Sequence, residues 1–276
     1  MRLVSSPLPQ TQSAYPALAP PVRIRLVTTQ PHACPYLPGR DAQNRAFLAE
    51  RMPGEMYHDF MDAGFRRSGE VFYQPVCRGC RACVPIRVVV GRFVMSKSQR
   101  RCWRRNADVV VTTGAPGATD EKFDVYRRFV EQRFRAKGRS APDAERPDFA
   151  SFAAFLCQSP VDTIEFTYRD GAGRLLGVGI CDACPRSLSS VYFYFDPAEA
   201  RRGLGTFGAL WEIDYARRAN LPHYYLGYWV GGCPTMDYKR NLGACELLGT
   251  DGVWRDAGHV ACPAGADGGP RVATDG

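Results

Sequence analysis

Residues 22–29 alternate Val22, Ile24 and Leu26 against Arg23 and Arg25, the two-residue period of a short strand. Residues 44–64 predict a helix in two pieces, broken near Pro53-Gly54. Strands are expected over 65–75 and 84–93, on either side of a cysteine-bearing loop. The second carries the β-branched run Ile86-Arg87-Val88-Val89-Val90. A short helix or turn over 96–106 and a strand over 107–113 lead into the loop 114–117. Helical spacing then returns at Phe123, Tyr126, Phe129, Val130 and Phe134, with Asp120 near the cap position. Residues 137–147 are polar and proline-bearing, a surface loop or an inter-domain crossing.

Beyond residue 148 the pattern changes. A helix over 149–158 precedes strands at 163–169, 175–181 and 190–196, the first two joined by a turn at Gly171 to Gly173. Then come the segment Arg201-Arg202-Gly203-Leu204-Gly205-Thr206, a helix over 207–219 and a strand over 224–230. Residues 1–22 are rich in Pro, Ser and Ala and read as a flexible leader without the apolar stretch of a secretory signal. Residues 263–276 read as a disordered tail. Two folded units are expected between these ends, 23–147 and 148–262. No run of about 18 apolar residues exists, so a membrane-spanning helix is not expected.

The formal charge of +8 and pI near 9.0 favour an acidic partner: RNA, DNA or an anionic substrate. The chain has 11 cysteines, an odd number, and no export signal, which fits reduced thiols and a cytoplasmic location. Cys77-Arg-Gly-Cys80-Arg-Ala-Cys83 is a C-x-x-C-x-x-C loop, a spacing that lets a turn wrap zinc or an iron–sulfur cluster. Cys34 is the preferred fourth ligand; the alternative is a turn of reduced cysteines with no metal. A second pair, Cys181 and Cys184, ends an apolar strand and has no matching pair nearby.

Just after the loop, Lys97, Arg100, Arg101 and Arg104 fall at i, i+3, i+4 and i+7. One helix face would then carry a cationic stripe for a polyanion, unless it is only a solvated face. Gly203-Leu204-Gly205, between an aromatic strand and a helix, offers backbone N–H groups to a phosphate or an oxyanion. Acyltransferases of the GNAT fold place R/Q-x-x-G-x-G/A in such a setting, but here Ala200 stands three before Gly203. The four histidines show no metal spacing, and no G-x-S-x-G motif is present.

Several strings together resemble one family. Cys34-Pro-Tyr-Leu-Pro38, Gly64-Phe-Arg-Arg-Ser-Gly69, the Cys77–Pro85 loop and Ser96 to Arg101 are similar to the N-terminal half of aminoacyl-tRNA–protein transferases. Val191-Tyr-Phe-Tyr-Phe-Asp-Pro197, Gly203-Leu-Gly-Thr206, Leu226-Gly-Tyr-Trp229 and Met236-Asp-Tyr-Lys239 are similar to the second half. Within the family the chain looks most like the bacterial aspartate/glutamate leucyltransferases. It departs from the pattern at Gln74, a place commonly basic, and at Arg240 to Cys245.

The resemblance implies an α+β fold, with a GNAT-like acyltransferase domain behind an N-terminal cysteine-bearing α/β domain. It also implies transfer of leucine from Leu-tRNA to proteins beginning with Asp or Glu, marking them for N-end-rule degradation, with no membrane partner and no cofactor required for the chemistry. Tyr238, Lys239, Gly205 and Thr206 are the expected catalytic positions. Arg66, Arg67, Gln99, Arg100, Arg101 and Arg104 are the expected substrate contacts, unless Arg66 and Arg67 only brace the N-terminal unit. Three alternatives stand beside this reading: arginyl transfer, a CoA-dependent N-acetyltransferase, and a non-catalytic zinc-bearing RNA-binding module.

Overall fold

The computed structural model describes residues 24–135 and 147–259. The leader 1–22, most of the 137–147 segment and the tail 263–276 therefore lie outside the described residues. In chain order the first half runs β1 (Val27–Thr28), β2 (His32–Ala33), β3 (Asp41–Ala42), β4 (Asn44–Leu48), α1 (Gly54–Asp62), β5 (Arg66–Ser68), β6 (Val71–Pro75), β7 (Val84–Val89), α2 (Lys97–Arg105), β8 (Val110–Gly114) and α3 (Asp120–Arg135). The second half runs α4 (Phe149–Cys157), β9 (Thr163–Arg169), β10 (Leu175–Cys184), β11 (Ser187–Phe195), α5 (Leu204–Arg218), β12 (His223–Trp229), α6 (Pro234–Asp237), β13 (Cys245–Leu248) and β14 (Trp254–Asp256).

Period-two alternation in β7 buries Val84, Ile86 and Val88 on one face, as β-branched side chains on a half-covered strand should be. This strand lies inside an eight-stranded sheet of order β14-β13-β7-β12-β11-β10-β9-β8. Strands from both sides of the expected 147/148 division thus share one sheet. All its neighbours are antiparallel except β11 and β12, which run parallel. Helices cover both faces of this mixed sheet. Leu204, Phe207, Leu210 and Ile213 of α5 pack with Phe166, Tyr168, Leu188 and Tyr224 on one side. Val125 and Phe129 of α3, with Phe152 and Leu156 of α4, pack on Val178, Ile180 and Tyr194 on the other.

A second sheet, of order β1-β4-β6-β5, packs with α1 around Phe47, Tyr57, Met61, Phe65 and Phe72. Residues 44–48 are therefore a strand and not the first piece of a helix. Pairing Ala46 with Tyr73 and Phe47 with Phe72 stacks the two Phe rings 5.1 Å apart, a cross-strand gain a helix there would forfeit. Only the second predicted piece, α1, is helical. Leucine at 204 enters the core fully buried, so α5 begins three residues earlier than its apolar spacing suggested.

One irregularity positions the site. The β11/β12 ladder pairs Ser187 with His223, Leu188 with Tyr224 and Ser189 with Tyr225, and ends there. Beyond it the two strands part. On its far edge β12 has a register shift between Tyr225 and Tyr228, with Gly227 at φ 78°. Only glycine adopts that left-handed backbone at little cost, and the kink turns β12 away from β11.

Candidate active site

The gap opened by the parted strands is a cavity of about 320 Å³. Ser190 to Phe193 of β11 form one edge and Leu226 to Tyr228 of β12 the other; Arg66, Tyr238 and Lys239 also line it. Strand edges that end a parallel ladder early leave backbone donors and acceptors for a ligand, and α/β sheets hold ligands where neighbouring strands diverge.

Arg66 enters from β5 and is 4% exposed. Its Nη1 donates to the carbonyls of Met61 at 3.1 Å and Phe65 at 2.5 Å, and its Nη2 to Gly227 at 3.1 Å. Its Nε is buried with no partner. The guanidinium lies over the rings of Tyr225 and Tyr228, at 5.2 and 5.6 Å. Lys239 arrives from the turn after α6 and donates from Nζ to the carbonyl of Tyr228 at 3.0 Å. Burial, and then the neighbouring Arg66, lower its pKa to about 8. Among the described residues neither cation has an ion-pair partner, and no Asp or Glu lines the cavity.

Arg67 lies next to Arg66 but is committed elsewhere. It makes a bidentate pair with the buried Asp182, at 2.6 and 2.5 Å, and Thr163 supports the same carboxylate at 2.8 Å. Burial opposes the guanidinium charge, but the Asp182 hydrogen bonds outweigh it and hold Arg67 in its cationic form. Here the bracing role applies: the pair ties β5 to β10.

Tyr238 stands at the mouth of the cavity, 48% exposed. Arg133, from the last turn of α3, shares that mouth. Tyr36, Tyr73 and Tyr228 complete a tyrosine-rich wall. Burial raises the pKa of each, so they act as neutral hydroxyl donors and stacking faces. Tyr228 donates to the carbonyl of Gly64 at 2.9 Å. Arg133, Ser190 and Tyr73 were not singled out from the sequence; Tyr36 and Tyr228 lay within strings that suggested function.

Gly205 and Thr206 are in the first turn of α5, outside the lining of this cavity. Their helix start lies instead against α2. Asn106 donates to the Arg202 carbonyl at 3.0 Å, Arg105 to that of Arg201 at 2.8 Å, and Cys102 reaches the Gly203 carbonyl at 3.5 Å. The predicted helix at 96–106 is present as α2, and Lys97, Arg100, Arg101 and Arg104 are exposed on it. Arg100 donates one bond to the Met95 carbonyl at 2.6 Å. Gln99 does not join the stripe. It completes a capping box with Ser96 and donates to Leu242 at 2.9 Å, which locks the helix start onto the core.

The cysteine loop does not form the expected metal site. Among the described residues no three His, Cys, Asp or Glu side chains converge in an arrangement suited to a metal ion. Cys34, Cys77, Cys80 and Cys233 all lie near enough to act on Cys83. The Cys34 sulfur accepts the Leu37 N–H at 3.4 Å, and that of Cys77 accepts the Gln43 N–H at 3.4 Å. Burial, reinforced by the neighbouring cysteines, pushes the Cys83 thiol up to about 12. The arrangement of the described residues thus gives no support to the expected metal at Cys34, Cys77, Cys80 and Cys83. The loop packs instead with Val230, Cys233 and Met236, against the turn that carries Lys239. Cys181 and Cys184 are core thiols of β10, buried at 0% and 4% exposure.

A larger cavity of about 800 Å³ opens beside the loop, lined among others by Arg45, Gln74, Cys77, Cys80 and Cys83, and shares the Tyr228 wall with the first. Gln74 bridges Arg45 Nε at 2.7 Å and the Ala63 carbonyl at 2.8 Å. No helix among the described residues is long and apolar enough to cross a membrane.

Residues 32–101 match the family model described as arginine-tRNA-protein transferase, N terminus, and residues 121–249 match its C-terminus counterpart. The chain is 42% identical over 228 residues to the aspartate/glutamate leucyltransferase of Pseudomonas putida strain W619, covering 82% of this chain and 94% of that protein. It is 40% identical over the same length and shares to the aspartate/glutamate leucyltransferase of Pseudomonas fluorescens strain SBW25. Among solved structures, L-PGS from Bacillus licheniformis aligns with a TM-score of 0.42 at 12% identity, over 67% of this chain and 52% of that one.

Proposed function

The chain belongs to the arginine-tRNA-protein transferase family and is an aminoacyl-tRNA–protein transferase, and from this premise we propose that it moves leucine from Leu-tRNA to the N-terminal amine of proteins beginning with Asp or Glu. One observation carries the acceptor side of this reading. Arg66 and Lys239 are cations without a carboxylate partner among the described residues, and both line a cavity that contains no acid. Cations desolvated without a counter-ion are costly, and an acceptor carboxylate repays that cost as it binds. The Arg66 Nε is buried without a hydrogen-bond partner.

The same cavity favours leucine over arginine as the donor. An arginyl side chain would meet Arg66, Lys239 and Arg133 and find no acid, whereas a leucyl side chain finds Val191, Phe193, Leu226 and Met236. The arrangement supports a GNAT-like reading, in which donor and acceptor meet between the parted β11 and β12. It also supports a division of labour between 23–147, which supplies Arg66, and 148–262, which supplies Tyr238 and Lys239. The cationic face of α2, beside the Gly205-Thr206 helix start, serves the tRNA backbone in this proposal.

An aminoacyl ester is already activated. The enzyme must place a neutral amine against the carbonyl and stabilise the oxyanion, and proximity supplies much of the rate. Tyr238, at the cavity mouth, and the unpaired backbone N–H groups of the strand edges are the donors within reach.

The test is transfer of labelled leucine or arginine from the corresponding charged tRNA to peptides beginning Asp, Glu, Lys or Ala. Leucine on the Asp and Glu peptides alone is the expected result. Equal labelling of the Ala peptide, or arginine in place of leucine, would reject the reading.

A further inference from the structure

Directly behind the parted strands lies a carboxylic acid that acceptor binding leaves unused. Glu212 sits on α5 and is 1% exposed. Its Oε2 accepts the Tyr224 hydroxyl, while its Oε1 is buried with no well-formed hydrogen bond. Among the described residues it has no cationic partner. Room for it is cut into the sheet: a Cβ at Gly179 on β10 would collide with Glu212 Oε1. Ser190 is the first β11 residue beyond the paired register and lines the cavity. Its side chain also acts on the Glu212 carboxyl and the Tyr224 hydroxyl, so it bridges the cavity and the acid.

We propose that Glu212, acting through the Ser190 hydroxyl, takes a proton from the acceptor's N-terminal ammonium so that it attacks as the neutral amine. The assignment rests on the transfer reading above. One N–H bond of the ammonium breaks and its proton passes to Ser190 Oγ, while the Ser190 hydrogen moves to the Glu212 carboxylate. The amine lone pair forms the new C–N bond, the C–O bond to the terminal ribose of the tRNA breaks, and a second nitrogen proton goes to the leaving ribose oxygen. Glu212 then returns its proton to water.

The electrostatics agree with this geometry. Burial pushes the Glu212 carboxyl up to about 7, against the opposing pull of hydrogen bonds from Tyr224, Cys181 and Ser190. A proton acceptor works best with a pKa close to the working pH. The other groups facing Glu212 are Tyr168 on β9, Cys181 on β10, Tyr224 on β12 and Tyr238 beside the cavity. Burial keeps all of them neutral, so they add no charge that would hold Glu212 ionised at lower pH.

The experiment is leucine transfer from Leu-tRNA to an Asp-initiated peptide, followed from pH 6 to 9 for the wild type, E212Q and S190A, with folding checked by urea unfolding. A free α-amine is roughly a tenth neutral at pH 7 and mostly neutral at pH 9. E212Q should therefore lose about tenfold in kcat at pH 7 and under twofold at pH 9, with KM unchanged. S190A should show the same closing gap, and it carries the test alone if E212Q does not fold. A loss equal at both pH values, or no loss, overturns the assignment while leaving the transfer reading intact. A wild type that transfers nothing at any pH overturns both.

Discussion

Arg66 and Lys239 grip consecutive carbonyls of one kink, Arg66 Nη2 at 3.1 Å from the Gly227 oxygen and Lys239 Nζ at 3.0 Å from the Tyr228 oxygen. Arg66 comes from β5 and Lys239 from the turn after α6, so the kink is a joint between distant parts of the chain. It fixes two positive charges side by side without neutralising either.

Removing one of these cations should therefore weaken acidic acceptors selectively. Arg66→Met is expected to cost about 2 kcal/mol or more in kcat/KM for an Asp-initiated peptide, roughly thirtyfold. The residual transfer to an Ala-initiated peptide should barely change. The comparison is steady-state kinetics on both peptides; equal losses on the two would mean that Arg66 only braces the kink.

Lys239 makes acceptor binding depend on pH. Its folded pKa, near 8, is depressed below the usual lysine value. It is therefore charged below pH 8 and loses that charge as pH rises through it. KM for an Asp-initiated peptide should rise above pH 8, even though kcat benefits there from a neutral amine. Lys239→Arg, which keeps its charge, should hold KM flat over the same range.

The Arg67–Asp182 pair should matter for stability and not for acceptor choice. Asp182→Ala leaves a buried guanidinium unpaired and is expected to cost about 3–5 kcal/mol. Replacing both partners with apolar residues should cost less than either single change. Urea unfolding of the two single variants and the double variant measures this directly.

On α2, Arg101 and Arg104 are exposed beside the α5 helix start. Arg101→Ala combined with Arg104→Ala should weaken tRNA binding at low salt. It should also reduce the slope of log K against log salt by about one to two. Transfer rates at saturating tRNA should remain near those of the wild type. An unchanged slope would make this a solvated face.

Stability itself should report on Glu212. Its folded pKa of about 7 lies above the usual carboxyl value of 4.5. The fold therefore favours the protonated form: stability is full below about pH 4.5 and is lost as pH rises through 7. The loss amounts to about 3 kcal/mol by pH 8. Relative to the wild type, E212Q should gain up to about that much between pH 5 and pH 8 in urea unfolding. A difference independent of pH would contradict a raised Glu212.

Arg66, Tyr238 and Lys239 were legible in the sequence because they sit inside short strings that carry the family resemblance. Gln99 was expected among the substrate contacts, but the S-x-x-Q spacing from Ser96 encodes a capping box, and the cap takes the side chain. Residues 44–48 have no local feature that forbids a helix; pairing with β6 and the Phe47–Phe72 contact decide for a strand. The C-x-x-C-x-x-C spacing guarantees that three sulfurs are close in the chain, but their direction depends on what the loop packs against. Glu212 gave no signal, because Trp211-Glu212-Ile213 does not say which face of α5 meets the sheet.

The place of β7, between β12 and β13, also bears on how the molecule is made. During synthesis β7 emerges long before residues 223–248, and until then both of its edges wait for partners. Such non-local pairing is slow, and an unpaired apolar strand invites association between chains. A ribosome-bound chain stopped before β12 would hold Arg66 but lack the kink that orients it and the strand that opens the cavity. Prematurely ended products should therefore be inactive and prone to aggregate, and the cell gains no partial enzyme from them.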